Sequence, residues 1–585
     1  MKIYRLSALA IAILAFSACT KKDKEPANTV HIAGIEKIKT LDPAMTGDLY
    51  SGDEVGRTYE GLLQFHYLKR PFVIVPMLAE EMPSYSKDKK TLTFKIRKGV
   101  LFQDDPCFKD TGGKGRELVA DDFIFSFKRV ADPKTLSEGW WIFDGRVVGL
   151  NEWRDEASRS GKADYAKEVE GLKAIDKYTL EIKLKKPSAQ FLSYLTMSFA
   201  MAIPKEAVEM YKDDFARNPV GTGPFVLDRK DSNLNSKLIW NKNPTFRKEL
   251  YPSDGSEEDR AAGLLEDAGK PLPLADRLVV SIYTETQPRW LNFMAGKFDW
   301  SKIPKDNFDQ VMSADQKLLP EMTQRKLKLQ KSPKLDITHE TFNLNEPILG
   351  KNKLLRQAIS MSINSEPYIE LFYNGRAIPA QGPIPPGLNG YDPSLKNPYR
   401  IYNLETAKDM LKQAGYPEGK GLPVLEYNTL SSTEYRQMTE YIEKSLGALG
   451  IKIHVNTYTW PEFVEALKNK KGHMWGYAWG ADYPDAENFL QLFYSKNVSP
   501  GPNDSNYSNP EYDKLYEASL NLHDTPERTA LYQKMVKILV EDCPWVFSVH
   551  RIEYVLTYPW MKNYKFHEIE HAVAKYWRID TSLKK

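Results

Sequence analysis

Several things are scarce in this sequence, and each scarcity removes a class of function. There are only three cysteines in 585 residues, so a disulfide-stapled scaffold is excluded. Lys and Arg number 81 against 78 Asp and Glu, a net charge of +3. No strongly basic field exists for a nucleic-acid partner. The apolar run Leu6 to Ala18 is too short to span a bilayer. Gly112-Gly113-Lys114-Gly115 lacks the Gly-x-x-x-x-Gly-Lys-(Ser/Thr) spacing of a phosphate loop. No local motif supports a Ser/His/Asp or Cys/His triad, and no cofactor is implied.

What is present points to a large secreted protein. The length exceeds what one core supports, so two or three domains are expected. The 12 Trp and 32 Tyr serve cores and also suit a protein that sandwiches ligands. Lys2 and Arg5 precede the apolar run and read with it as a signal peptide over 1–18. Phe16-Ser17-Ala18-Cys19 resembles a bacterial lipobox. Lipidation of Cys19 would anchor the chain to a membrane, with 19–27 as a tether. Thr20 rather than Asp follows Cys19, so either inner- or outer-membrane anchoring stays open. Cys107 and Cys543 are either bridged or, more plainly, two buried thiols.

The stretch 477–493 reads as the centre of function. Tyr477-Ala478-Trp479 ends an apolar strand, Gly480 frees the backbone, and Asp482 follows before the turn at Pro484. Phe489, Leu490 and Phe493 then share a helix face. A carboxylate just past a strand end suits a ligand bearing an amine, held by a charge-assisted hydrogen bond. Gly480 permits close approach of a ligand main chain. Trp479 offers an apolar wall, with Ala478 beside it. The plainer alternative is that Asp482 only caps the next helix or turn.

Elsewhere, alternation predicts strands over 91–98, 178–184, 278–283 and 338–344. Helices are expected over 120–130, with Asp121 or Asp122 as cap, and over 290–298, 352–363 and 403–415. Thr284 to Gln287 reads as a hinge. A strand–helix–strand unit over 424–428, 434–449 and 451–457 implies a parallel pair. A long helix over 526–540 precedes a strand over 543–549 that returns the chain to the first lobe.

In order and spacing, these blocks resemble the periplasmic peptide-binding proteins of ABC importers, extracellular solute-binding protein family 5. The resemblance rests on Leu41-Asp42-Pro43, Tyr59-Glu60-Gly61-Leu62-Leu63, Pro76-Met77-Leu78-Ala79-Glu80, Asn218 to Phe225 and the Trp-Gly-Ala-Asp at 479–482. It implies an α/β, two-lobed periplasmic-binding-protein fold with a ligand cleft between the lobes. Lobe one is expected over 28–62, 186–285 and 546–585, with an extra subdomain over 63–185. Lobe two is expected over 286–545. The resemblance further implies that Asp482 binds a short peptide's ammonium. Asp48 and Leu49 would line the cleft, unless that loop is merely solvated. An inner-membrane ABC permease would take the ligand from a single-chain receptor on the periplasmic side. Tripeptide selectors of this family often carry arginine three residues before the tryptophan. Here that position is Gly476, so ligand length stays open.

Two rivals complete the reading. The same fold carries sugars, metal chelates or haem. Separately, His567-Glu568-Ile569-Glu570-His571 matches the His-Glu-x-x-His zinc hydrolase motif. Glu570 puts a charge where that motif wants a packable residue, and the aromatic flanks read equally as strand and loop.

Overall fold

The block Asn218 to Phe225 shows how sequence fixes the first lobe. A Cβ on Gly221 would meet Thr58 O at 2.0 Å, and one on Gly223 would meet Thr58 C at 2.5 Å. Only glycine lets this turn lie against the segment 57–58. Gly223 N–H then donates to Thr58 O at 2.7 Å, and Phe225 N–H to Arg57 O at 3.0 Å. The turn feeds Phe225–Leu227, the edge of a four-stranded sheet. That sheet continues through Lys237–Lys242 and Arg277–Ile282 to Thr29–Gly34, the last two parallel. The computed structural model describes residues 25–584 other than 521, 523, 524 and 570. The leader, Cys19 and most of the tether lie outside the described residues.

A second four-stranded sheet is ordered Ser84–Tyr85, Thr91–Lys95, Thr179–Lys183, Leu172–Asp176. The amphipathic helix Ala120–Ala131 covers it, burying Phe123 and Phe127 against Leu92, Phe94, Leu180 and Ile182. Neither Asp121 nor Asp122 is the N-cap, which is Val119. Asp122 instead reaches back from the first turn to accept Val119 N–H at 2.8 Å, and it pairs with Arg116. The core of this sheet is continuous with Val55, Tyr59, Leu62 and Phe191 through Val220. The expected boundaries at 62/63 and 185/186 therefore cross one apolar cluster.

The third sheet has eight strands. Its path runs Trp300–Lys302, Trp545–Thr557, Asp336–Phe342, Met474–Gly480, Leu425–Leu430, Ile453–Tyr458. Lys328–Pro333 and Ala377–Pro379 also pair along Trp545–Thr557. The expected parallel unit is present: Leu425–Leu430 pairs in parallel with Ile453–Tyr458, with the helix Thr433–Gly447 between them in the chain.

The strand placed at 543–549 is longer than the sequence suggests. It spans Trp545–Thr557 and pairs throughout in the larger sheet. The division at 545/546 therefore falls within a strand of the sheet assigned to lobe two. Within the 284–287 segment, Thr284 and Glu285 precede a helix that begins at Thr286 and runs to Met294. Cys107 and Cys543 are free, buried thiols in separate apolar clusters. Among the described residues, no helix is long and apolar enough to cross a membrane.

Candidate functional site

The central strand Met474–Gly480 is buried at its start, where Met474 and Trp475 are fully covered, and exposed at Gly480. On one side it pairs antiparallel with Asp336–Phe342 along its whole length. On the other, Leu425–Leu430 pairs only with Met474 and Trp475. An antiparallel ladder alternates between residues bonded inward and residues facing away. Ala481 N–H donates to Leu335 O at 2.8 Å and Asn343 N–H to His473 O at 2.9 Å, which sets the parity. Trp479 and Tyr477 therefore bond inward. The N–H and C=O groups of Ala478 and Gly480 face an edge with no neighbouring strand among the described residues. Nothing lies within 4 Å of a Cβ built on Gly480, so the space above it is open.

Asp482 stands just beyond this edge. Its carboxylate Oδ2 accepts Asn488 Nδ2–H at 3.0 Å, and its own N–H donates to Asn488 Oδ1 at 3.1 Å. The same Oδ1 accepts Trp479 Nε1–H at 3.0 Å. One fully buried amide thus orients both residues. Sequence reasoning missed Asn488. Its signal was an amide directly ahead of Phe489, Leu490, Leu492 and Phe493, all of them buried. Asp482 does not cap the helix Glu487–Leu490, whose N-cap is Ala486; its first N–H, that of Glu487, goes to Asp485 Oδ1 at 2.9 Å. Arg528, 2.6 Å away, pairs with Asp485. Asp482 has no such cation among the described residues. It reaches solvent, yet the surrounding protein strips enough hydration to push its carboxyl above the ordinary value, against the pull of Asn488. An anion held this way is stabilised by an incoming cation.

The stretch holding Asp48 and Leu49, which the resemblance implies to be a cleft-lining loop, is partly helix. Leu49–Val55 is helical because Asp48 caps it, accepting Ser51 N–H at 2.9 Å and Ser51 Oγ–H at 2.8 Å. The carboxylate of Asp48 is engaged there, whereas Leu49 is 50% exposed. The lobes touch nearby: the Tyr483 ring packs on Tyr194 at 5.3 Å between centroids, within the first lobe's core cluster.

The segment 567–571 forms another interlobe contact and not a metal-binding helix. His567 and Glu568 lie outside any helix, and His571 only precedes the short Ala572–Tyr576 turn. His567 packs on Phe72 with ring centroids 4.9 Å apart. Glu568 sits 3.3 Å from Lys334 and accepts Leu335 N–H. His571 Nδ1 is 2.9 Å from Asp53. Among the described residues, no cluster of metal-ligating side chains occurs.

A cavity of about 100 Å³ opens beside Ala478 and Gly476. A Cβ on Gly476 would meet Glu340 Oε2 at 2.5 Å and the Tyr427 hydroxyl at 2.7 Å. Glycine stands here because Glu340 and Tyr427, hydrogen-bonded to each other, close over it. Burial pushes the Glu340 carboxyl up to about 7.

Two lobes meeting at a cleft are the architecture of a solute-binding protein. The family model for bacterial extracellular solute-binding proteins, family 5 Middle, matches residues 73–501, and the chain belongs to that family. It is 26% identical to Di/tripeptide-binding protein 2 of Pseudomonas aeruginosa, over 92% of each chain. It is also 26% identical to Heme-binding protein A of Haemophilus influenzae, over 96% of this chain and 97% of that one. Among solved structures, it superposes with a TM-score of 0.68 on the periplasmic binding protein DppA from Helicobacter pylori in complex with the peptide STSA. That match is 26% identical and covers 94% of this chain and 98% of the other.

Proposed function

We infer that this protein captures short peptides in the interlobe cleft and delivers them to an ABC permease in the inner membrane. The observation that carries the reading is the pairing of an open strand edge with an anion lacking a cation. The ligand's main chain adds as a strand to the outward groups of Ala478 and Gly480. Its ammonium sits on Asp482, held in place by Asn488. Trp479 forms a wall, and Leu49 faces the ligand from the other lobe. The lobe holding the sheets of Thr29–Gly34 and Thr91–Lys95 closes by rotation on the lobe holding the eight-stranded sheet. Cys19 carries the lipid that keeps a single-chain receptor at the membrane, on the periplasmic or cell-surface side.

Asp482→Asn keeps the hydrogen bonds around Asn488 and removes the charge. Peptide affinity should fall by about 30-fold or more, the effect of leaving a bound ammonium without its counter-ion. Unchanged binding by titration calorimetry would remove Asp482 from the site. Mass spectrometry of whatever the purified protein releases on denaturation tests the ligand class. Short peptides with free amines are expected. A haem Soret band, or a single sugar, would instead support the reading that the relative Heme-binding protein A raises.

A further inference from the structure

A second cavity opens on the other face of the eight-stranded sheet. Successive strand residues point to opposite faces. On Trp545–Thr557, Arg551 lines the cavity beside Gly476, whereas His550 lines this one. Its volume is about 80 Å³, more than the ~30 Å³ share of one water. Gly382, Ile384, Tyr391, Leu395 and Val536 stand around it. Pro393 and Lys537, which also border it, are exposed, so the cavity is reached from solvent.

The shape of this cavity is set before any ligand arrives. One wall is the segment 379–393, which carries Pro379, Pro383, Pro385, Pro386 and Pro393. Each proline ring fixes its own φ. The opposite wall is the helix Pro526–Asp542. A Cβ on Gly382 would meet Val536 Cγ1 at 3.0 Å and Leu395 Cδ2 at 3.4 Å. A side chain there would begin to fill the space. Gly390 has a φ of +99°, and a Cβ on it would meet the Tyr532 ring at 3.3 Å. Only glycine suits that turn. A preformed site loses little further entropy when it is occupied.

The chemistry turns on one imidazole. His550 is 1% exposed. Its Nδ1 lies 2.8 Å from Asp336 O. A carbonyl oxygen only accepts, so Nδ1 carries the proton. Burial lowers the ring's pKa to about 4, and the imidazole stays neutral. Nε2 is then a bare acceptor, buried and, among the described residues, without a donor. The Tyr391 ring stands edge-on to the imidazole, with 6.3 Å between centroids. A buried acceptor left unsatisfied favours whatever supplies its hydrogen bond. A water needs two or more polar partners. The buried side chains of Ile384 and Val536 offer it none. A small apolar body with one N–H or O–H matches both the wall and the imidazole.

We propose that this cavity is a second ligand site, taking a small ring or branched alkyl group whose single N–H or O–H is donated to His550 Nε2. The site is separate from the peptide cleft. The strand Asp336–Phe342 lies between Trp545–Thr557 and the open edge at Ala478 and Gly480.

The test pairs pyrrole with furan, rings of closely similar size of which only pyrrole carries an N–H. Ligand-observed NMR titration of the purified protein gives both affinities, in the wild type and in two variants. Pyrrole should bind saturably and about 2- to 10-fold more tightly than furan, the worth of one hydrogen bond. In His550→Phe the two rings should bind alike. Val536→Met fills the cavity from the helix side and should remove binding of both; it also serves if His550→Phe does not fold. Pyrrole that fails to saturate the wild type, or binds no more tightly than furan, overturns the proposal. So does a preference that survives His550→Phe, or binding unchanged in Val536→Met.

Discussion

Replacing Glu340 with glutamine should stabilise the protein above neutral pH and leave it unchanged near pH 4.5. The side chain is 4% exposed and sits over Gly476, within hydrogen-bonding reach of Tyr427. Burial disfavours its charge and raises the carboxyl from 4.5 to about 7; the Tyr427 hydroxyl and the Arg400 charge oppose this more weakly. The folded state therefore binds this proton more tightly than the unfolded chain does. Below pH 4.5 both states are protonated and the site carries no penalty. As pH rises to about 7 the unfolded chain ionises first, and stability is lost across that window. At 1.36 kcal/mol per pH decade the full loss is about 3 kcal/mol. Glutamine resembles the neutral acid in shape, and its carbonyl still accepts from Tyr427. Urea unfolding of both proteins at pH 4.5, 6 and 8 measures the difference. Equal stability is expected at the lowest pH, with a glutamine advantage of about 1–3 kcal/mol at the highest. A glutamine variant weaker than wild type at pH 8 would refute the reasoning, because Glu340 would then be an ionised, well-paired group.

Two further outcomes follow from the same strand. Gly476→Ala should cost about 1–3 kcal/mol, because its methyl meets Glu340 and Tyr427 in a packed site. Gly480→Ala, four residues on but with open space above it, should stay within about 0.5 kcal/mol of wild type. Equal losses in thermal melting would contradict the difference drawn between the two glycines. On the ligand side, N-methylation of successive peptide bonds should alternate in effect. Where the N–H faces the strand edge, affinity should drop about 2- to 10-fold. Where it faces away, little should change. A flat profile in calorimetry would argue against an added strand.

Much of the site was legible because it is local in sequence. Trp479, Gly480 and Asp482 sit within four residues, although the same glycine, acid and proline read equally as a cap or turn. The elements around it were legible wherever hydrophobic period and capping agreed. Lys353–Ser362 and Leu404–Gln413 with its Asn403 cap lie within a residue or two of expectation. The strand at 545–557 was cut short because its second half finds its partners in 300–302, 328–333 and 377, which local pattern does not reveal.

By itself, the sequence determined the α/β character, the glycine-dependent turn at 218–225 and the acid placed beyond a strand end. These follow from backbone freedom and side-chain period over a few residues. Tertiary structure alone decided the rest. It made Ala486 the N-cap of the following helix and, among the described residues, left Asp482 without a cation. It ended the pairing of Leu425–Leu430 at Trp475, exposing the edge at Ala478 and Gly480. It dispersed His567, Glu568 and His571 onto three different partners. It also brought Arg551 into the same cavity as Gly476. Charge pairing and strand register act between residues far apart in the chain, and folding is what brings them within reach of one another.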